Sequence, residues 1–214
     1  MVSPRAARGL PPRLAQRDNA VVRPRDAADV YVNPHAEFAR LVDNGLLLRV
    51  APGSYAIVPR PWVGRVWRPD LAAVALGIAQ ADYGRDAVAL TNVSAARHHG
   101  AIPRALATAT VAVPTQRPPL RVGDGTVHFT QRTVARIDVE AVETEITAGW
   151  VTTVEQTLLD LAARPTFGGV EPGQADEAIR VLAARADWDR VTALARPQHK
   201  LKAMAYAQRV AEAS

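Results

Sequence analysis

Residues 21–58 leave little choice of local architecture. Asn33-Pro34 is a strong helix start: an Asn side chain accepts from the N–H groups that a first turn leaves open, and proline's fixed φ suits the first helical position. A helix over 34–44 places Phe38, Leu41 and Val42 on one face by i, i+3, i+4 spacing, and Gly45 follows where a left-handed cap belongs. Residues 46–50 and 55–58 then read as two strands around the turn Ala51-Pro52-Gly53-Ser54, and residues 24–30 read as a short helix upstream. Helix, turn, helix and β-hairpin is the order of a winged helix-turn-helix, in which the second helix enters the major groove of DNA.

Charge points the same way. Residues 1–68 hold eleven Arg and five acids, so this third of the chain carries the whole basic excess of a +5 protein. A local positive field recruits a polyanion, and phosphate neutralisation with counterion release makes double-stranded DNA the expected partner. The helix face opposite Phe38, Leu41 and Val42 shows Ala36, Glu37, Arg40, Asp43 and Asn44, which is mixed in sign. The expected division of labour therefore assigns Arg40, Asn44 and His35 to base edges, with Asn33 beside them at the helix start. Arg23, Arg25 and Arg49, with Arg13 and Arg17 of a basic N-terminal arm that includes Arg5 and Arg8, grip phosphates.

Pro59-Arg60-Pro61-Trp62-Val63-Gly64 reads as a linker, which divides the chain into a winged helix-turn-helix domain at 1–60 and an α+β domain at 66–214. In the second domain, helices are expected at 70–83 and 92–99, strands at 108–113, 121–122, 127–130 and 137–142, and a capping box at Thr152–Glu155 opening a helix to 163. A helical tail follows at 174–186, 188–195 and 198–213. The predicted fold class is α+β: an N-terminal winged helix-turn-helix followed by a mixed α/β C-terminal domain with a helical tail. With no cysteine, disulfides and cysteine zinc sites are excluded. No apolar run reaches a membrane span and no signal-peptide core follows the N-terminus, so a cytoplasmic protein with no membrane partner is expected.

Four phrases, in order, carry a family resemblance. "LVDNGLLLRVAPGSYAIVP" (41–59), "ALTNVSAARHHGAIPRA" (89–105), "VAVP" (111–114) followed by Arg117, and "VTTVEQTLLDLA" (151–162) resemble segments of the AbiEi family of antitoxins, over about residues 21–165. Gln156 stands where similar sequences more often carry Arg, and nothing beyond residue 170 matches. The resemblance implies an antitoxin of a type IV toxin–antitoxin, or abortive infection, system. Its winged helix would bind repeats in its own promoter and repress it. Its second domain would counteract a nucleotidyltransferase-like toxin, generally without a stable complex.

Chemistry is sparse. His98-His99 sit about 100° apart on a helix and have no sequence-adjacent carboxylate, so no metal is expected. Asp138, Glu140, Glu143 and Glu145 form no single face on a strand, Ser94 and His98 lack a positioned acid, and there is no Gly-rich phosphate loop. No cofactor and no enzyme activity are expected. The Asp187-Trp188-Asp189 pair reads as a helix cap, and Arg104, Arg117, Arg132 and Arg136 read as ordinary solvated charge, with a second basic surface as the alternative. Two alternatives stay open: a protein-interaction module whose winged helix does not touch DNA, and a metal-dependent nuclease using Asp138 or Glu140.

Overall fold

The computed structural model describes residues 9–213. Its first third contains α1 (Pro12–Ala15), β1 (Val21–Val22), a 3-10 turn (Pro24–Ala27), α2 (Pro34–Asp43), β2 (Leu47–Ala51) and β3 (Ser54–Ile57). The Asn33 side chain accepts from the Ala36 N–H at 3.3 Å, as expected of a cap. At the other end Gly45 takes φ +68°, Gly45 N–H bonds Val42 and Leu46 N–H bonds Leu41, each at 2.9 Å. This double closure satisfies carbonyls the last turn would leave open and turns the chain directly into β2.

β1, absent from the sequence-based expectation, pairs antiparallel with β3 and makes a sheet of order β1-β3-β2. Adjacent strand residues face opposite sides. Val22 thus joins Leu14, Ala27, Phe38, Leu41 and Leu47 in a small core under α2, while Val21 joins Val50, Ala51 and Ala56 in a larger core shared with α3 (Leu71–Tyr83). The expected basic arm is packed against the first third over residues 9–17: buried Leu14 anchors it, and Arg13 and Arg17 stay exposed. Arg5 and Arg8 lie outside the described residues.

The remainder is mixed α and β. After α3 come β4 (Ala89–Leu90), α4 (Asn92–His98), β5 (Thr108–Val113), β6 (Leu120–Val122), β7 (Gly125–Gln131), β8 (Val139–Glu143) and β9 (Ala148–Thr152). The chain ends in α5 (Val154–Ala163), α6 (Pro172–Ala183), α7 (Trp188–Ala195) and α8 (Leu201–Glu212). The six strands order as β6-β7-β5-β4-β9-β8. Ala109, Val111 and Val113 of β5 face the α3 core, whereas Thr110 on the opposite face accepts from Ser94 N–H at 3.3 Å and donates its own N–H to the Ser94 hydroxyl at 2.8 Å. The sheet therefore separates α3 from α4 and the C-terminal helices, whose apolar faces form a second core around Leu158, Leu159, Ile179, Leu182 and Val191. Among the described residues no helix is long and apolar enough to cross a membrane.

Two expected details move. The cap of α5 is Thr153, which accepts from Gln156 N–H at 3.4 Å, because Thr152 belongs to β9. Glu155 instead accepts from Asp187 N–H at 3.2 Å, and Asp187 caps α7 through the N–H groups of Asp189 and Arg190.

The first third and the sheet meet through a buried surface. At Gly77 of α3 a Cβ would lie 2.6 Å from Ile146 Cγ2 and 2.7 Å from Val21 Cγ2, so only glycine allows this approach of helix to β1. Asn19 secures the same contact, donating to Gly77 O at 2.8 Å and accepting from Val21 N–H at 2.9 Å.

Candidate functional site

The side chains expected to meet DNA divide into two groups. His35 is exposed on α2, and Asn33 and Asn44 are exposed at its N-terminal and C-terminal caps. Arg40 shares this helix, but its guanidinium bonds Glu37 Oε2 at 2.7 and 3.0 Å. A polyanion must therefore displace or accommodate Glu37 before Arg40 reads a base. Arg49 is exposed on β2, opposite Tyr55 of β3. Arg25 is exposed on the 3-10 turn, 3.8 Å from Asp82, and Arg13 is ion-paired with Asp29.

Arg23 requires a correction. It is buried, and its guanidinium donates to Asp82 Oδ1 at 2.7 Å, Ile78 O at 3.2 Å and Ala81 O at 3.4 Å. A cation at the last turn of α3 meets the open Ala81 carbonyl and the negative end of the helix dipole, so Arg23 bolts the first third to α3 rather than facing solvent. Asp82 also accepts from Arg117 at 2.7 Å. Burial works against its charge, but hydrogen bonds from Arg23 and Arg117 outweigh burial and hold its carboxyl below the usual range.

The four arginines weighed as a second basic surface separate, and only Arg132 and Arg136 line one cleft. Arg117 turns to Asp82 and lies over the Phe129 ring at 4.3 Å, Arg104 is exposed beyond α4, and Arg132 turns inward. Arg132 faces a cleft that the sequence reading missed. Asp160 of α5 is its buried centre, accepting from Thr91 Oγ1 at 2.9 Å, Arg132 at 2.9 Å, Gln156 Nε2 at 2.8 Å and the Lys200 ammonium. Gln198 closes the ring, accepting from Arg132 at 3.0 Å and donating to Gln156 at 2.6 Å. Burial opposes the Asp160 charge, yet Lys200 and Arg132 outweigh it and keep its carboxyl below the ordinary range. Burial, together with like-charged Arg132, makes Lys200 less basic than usual despite the pull of Asp160. The sequence carried one signal: Asp160 interrupts the apolar run of Leu158, Leu159, Leu161 and Ala162, and a carboxylate at such a position needs cations.

The histidine pair also gains a partner. α4 stops at His98, so His99 leaves the helix with φ −76° and ψ 4°, and Glu140 approaches from β8. One ligand atom from each of His98, His99 and Glu140 lies within 4.8 Å of the others. His99 Nε2 donates to Thr152 O at 2.7 Å, and Nδ1 lies 3.9 Å from Glu140 Oε1. Burial and then His99 push the His98 pKa down, so that ring is neutral near pH 7. These three are the described side chains that could hold a metal. The spatial carboxylate was invisible to local spacing. Asp138, by contrast, is engaged by Arg190 at 2.6 Å and Thr153 Oγ1 at 2.9 Å.

No family model and no curated protein matches the chain. Among solved structures, the crystal structure of the RV2827C protein from Mycobacterium tuberculosis is similar, with a TM-score of 0.59 and 18% identity, covering 93% of this chain and 78% of that one. The likeness is one of fold.

Proposed function

We propose that the chain is a DNA-binding autorepressor and antitoxin of the AbiEi type. Its first third is a winged helix-turn-helix that reads double-stranded DNA of its own promoter. Its second domain counteracts a nucleotidyltransferase-like toxin. The observation that carries the DNA part is the arrangement around α2. The order α1, β1, 3-10 turn, α2, β2, β3 with strand order β1-β3-β2 leaves one face of α2 open, and exposed Arg25 and Arg49 belong to the elements on either side of it in the chain. This is the layout in which flanking cations position a helix for the major groove.

The antitoxin part rests on the sequence resemblance. Three of its four phrases fall in β4–α4, β5 and β9–α5, and residues of two of them meet at one place: Thr91 Oγ1 donates to the Asp160 carboxylate at 2.9 Å and Asn92 Nδ2 to the Asp160 carbonyl at 3.1 Å. Separate phrases that converge in space support a shared ancestry more strongly than any phrase alone.

Substitutions test the interface. Arg49→Ala and Arg25→Ala weaken binding to promoter and scrambled duplex alike, each lowering the salt slope by about 1. Arg40→Ala costs about 1–3 kcal/mol on the promoter duplex and little on scrambled DNA, since its gain comes from base contact after release of Glu37. Quantitative binding assays across a salt series read both. Unchanged affinity in all three variants would remove α2 and the hairpin from the DNA interface.

A further inference from the structure

The cleft around Asp160 has a volume of about 480 Å³, within the range of small-molecule sites. Its walls carry four cations, Arg132, Arg136, Arg164 and Lys200, and a single acid, Asp160. That acid is already shared by Arg132 and Lys200. The positive excess therefore faces a partly enclosed space, where low-dielectric walls focus it.

Two of the four cations are set in place beforehand. Arg132 is fixed by Asp160 and Gln198, and among the described residues Lys200 donates only to Asp160, which leaves two of the three ammonium hydrogens uncommitted. Arg164 lies over the Phe167 ring at 4.0 Å, and Arg136 has no acidic partner among the described residues. The backbone is also held unusually here. Among the described residues only Asn92 (φ +47°) and His199 (φ +55°) are non-glycines in the left-handed region. Asn92 lines the cleft, and His199 separates Gln198 from Lys200, both of which line it. Such conformations persist where surrounding structure over-determines them, and they gather at ligand sites.

We propose that this cleft binds the phosphate group of a phosphorylated small molecule of nucleotide size. Guanidinium groups match phosphate oxygens in pairs, the ammonium adds a point charge, and Thr130 and Thr133 line the same cleft. A polynucleotide backbone fits less well, because two of the cations, Arg132 and Lys200, are mostly buried and tied to Asp160, and the basic excess of the chain lies in its first third.

The test uses the full chain with inorganic pyrophosphate and, separately, adenosine diphosphate, against sodium chloride of equal ionic strength, by titration calorimetry and thermal melting. Both ligands are expected to bind and raise the melting temperature. Arg136→Gln, which leaves the Asp160 hydrogen bonds intact, is expected to weaken them about tenfold or more, as loss of a charged hydrogen bond does. Arg49→Ala is expected to leave them unchanged, and Arg136→Gln to leave promoter binding unchanged, so this proposal and the DNA reading fail separately. No binding at millimolar ligand, or binding insensitive to Arg136→Gln, would overturn the site. Displacement of pyrophosphate by a short scrambled duplex in the Arg49→Ala protein would overturn the small-molecule ligand in favour of a nucleic-acid backbone.

Discussion

Asp160→Ala lowers the melting temperature on the order of 10 °C. Removing one partner of a buried ion pair leaves the other charge uncompensated, which costs about 3–5 kcal/mol, and a domain of this size loses a few degrees per kcal/mol. Here two cations are stranded, since Arg132 and Lys200 both point at the same carboxylate. Thr91 Oγ1 loses its acceptor as well, and Gln156 Nε2 keeps only Gln198 Oε1 at 3.1 Å. The pH dependence has a definite sign. The Asp160 carboxyl is held below its ordinary value, so its contribution is complete above the unfolded pKa of about 3.9 and disappears as pH falls through the lower folded value. The gap between wild type and variant is therefore wide at neutral pH and closes in strong acid. Melting curves of the two proteins across an acid pH series measure it. A neutral-pH difference of a degree or two would mean that the network is incidental.

Phe38→Ala has the second large effect, about 3–5 kcal/mol, the usual cost of deleting a wholly buried aromatic ring. Phe38 fills the small core beneath α2 with Leu14, Val22, Ala27, Leu41 and Leu47, and meets Tyr55 of β3 edge to face at 5.2 Å. That core has no second layer on which to relax. The larger core uses different residues, Val21, Val50, Ala51 and Ala56 with α3, so the sheet keeps its packing. Hydrogen exchange should thus rise in α2 while β5 and α5 remain protected, and promoter affinity should fall with it. Uniform loss of protection along the chain would show instead that the two cores unfold as one unit.

The N-terminal elements were legible because their signals are local. Asn33-Pro34 and Gly45 delimit α2 to within a residue, and Pro52-Gly53 marks the hairpin turn. β1 and β4 are two residues each and exist only through pairing, β1 with β3 and β4 with β5 and β9. No periodicity can announce a strand that short. The candidate residues fared according to what faces them. Exposed His35, Asn44 and Arg49 stand where helical and strand periodicity put them. Arg23 was misassigned because its partners, Asp82 and the end of α3, lie some 55 residues or more away. The Asp160 cleft draws on Thr91, Arg132, Gln156 and Lys200, which no spacing rule connects, although the phrases at 89–105 and 151–162 had singled out three of its residues without their chemistry.

Binding of the full chain to a duplex of the DNA upstream of its own gene, against a scrambled duplex at several salt concentrations, decides whether the first third reads DNA. The account predicts preference for the upstream sequence, with affinity for both duplexes falling as salt rises. Equal binding to the two duplexes, or none, would contradict it and return the basic first third to the role of a protein-interaction module.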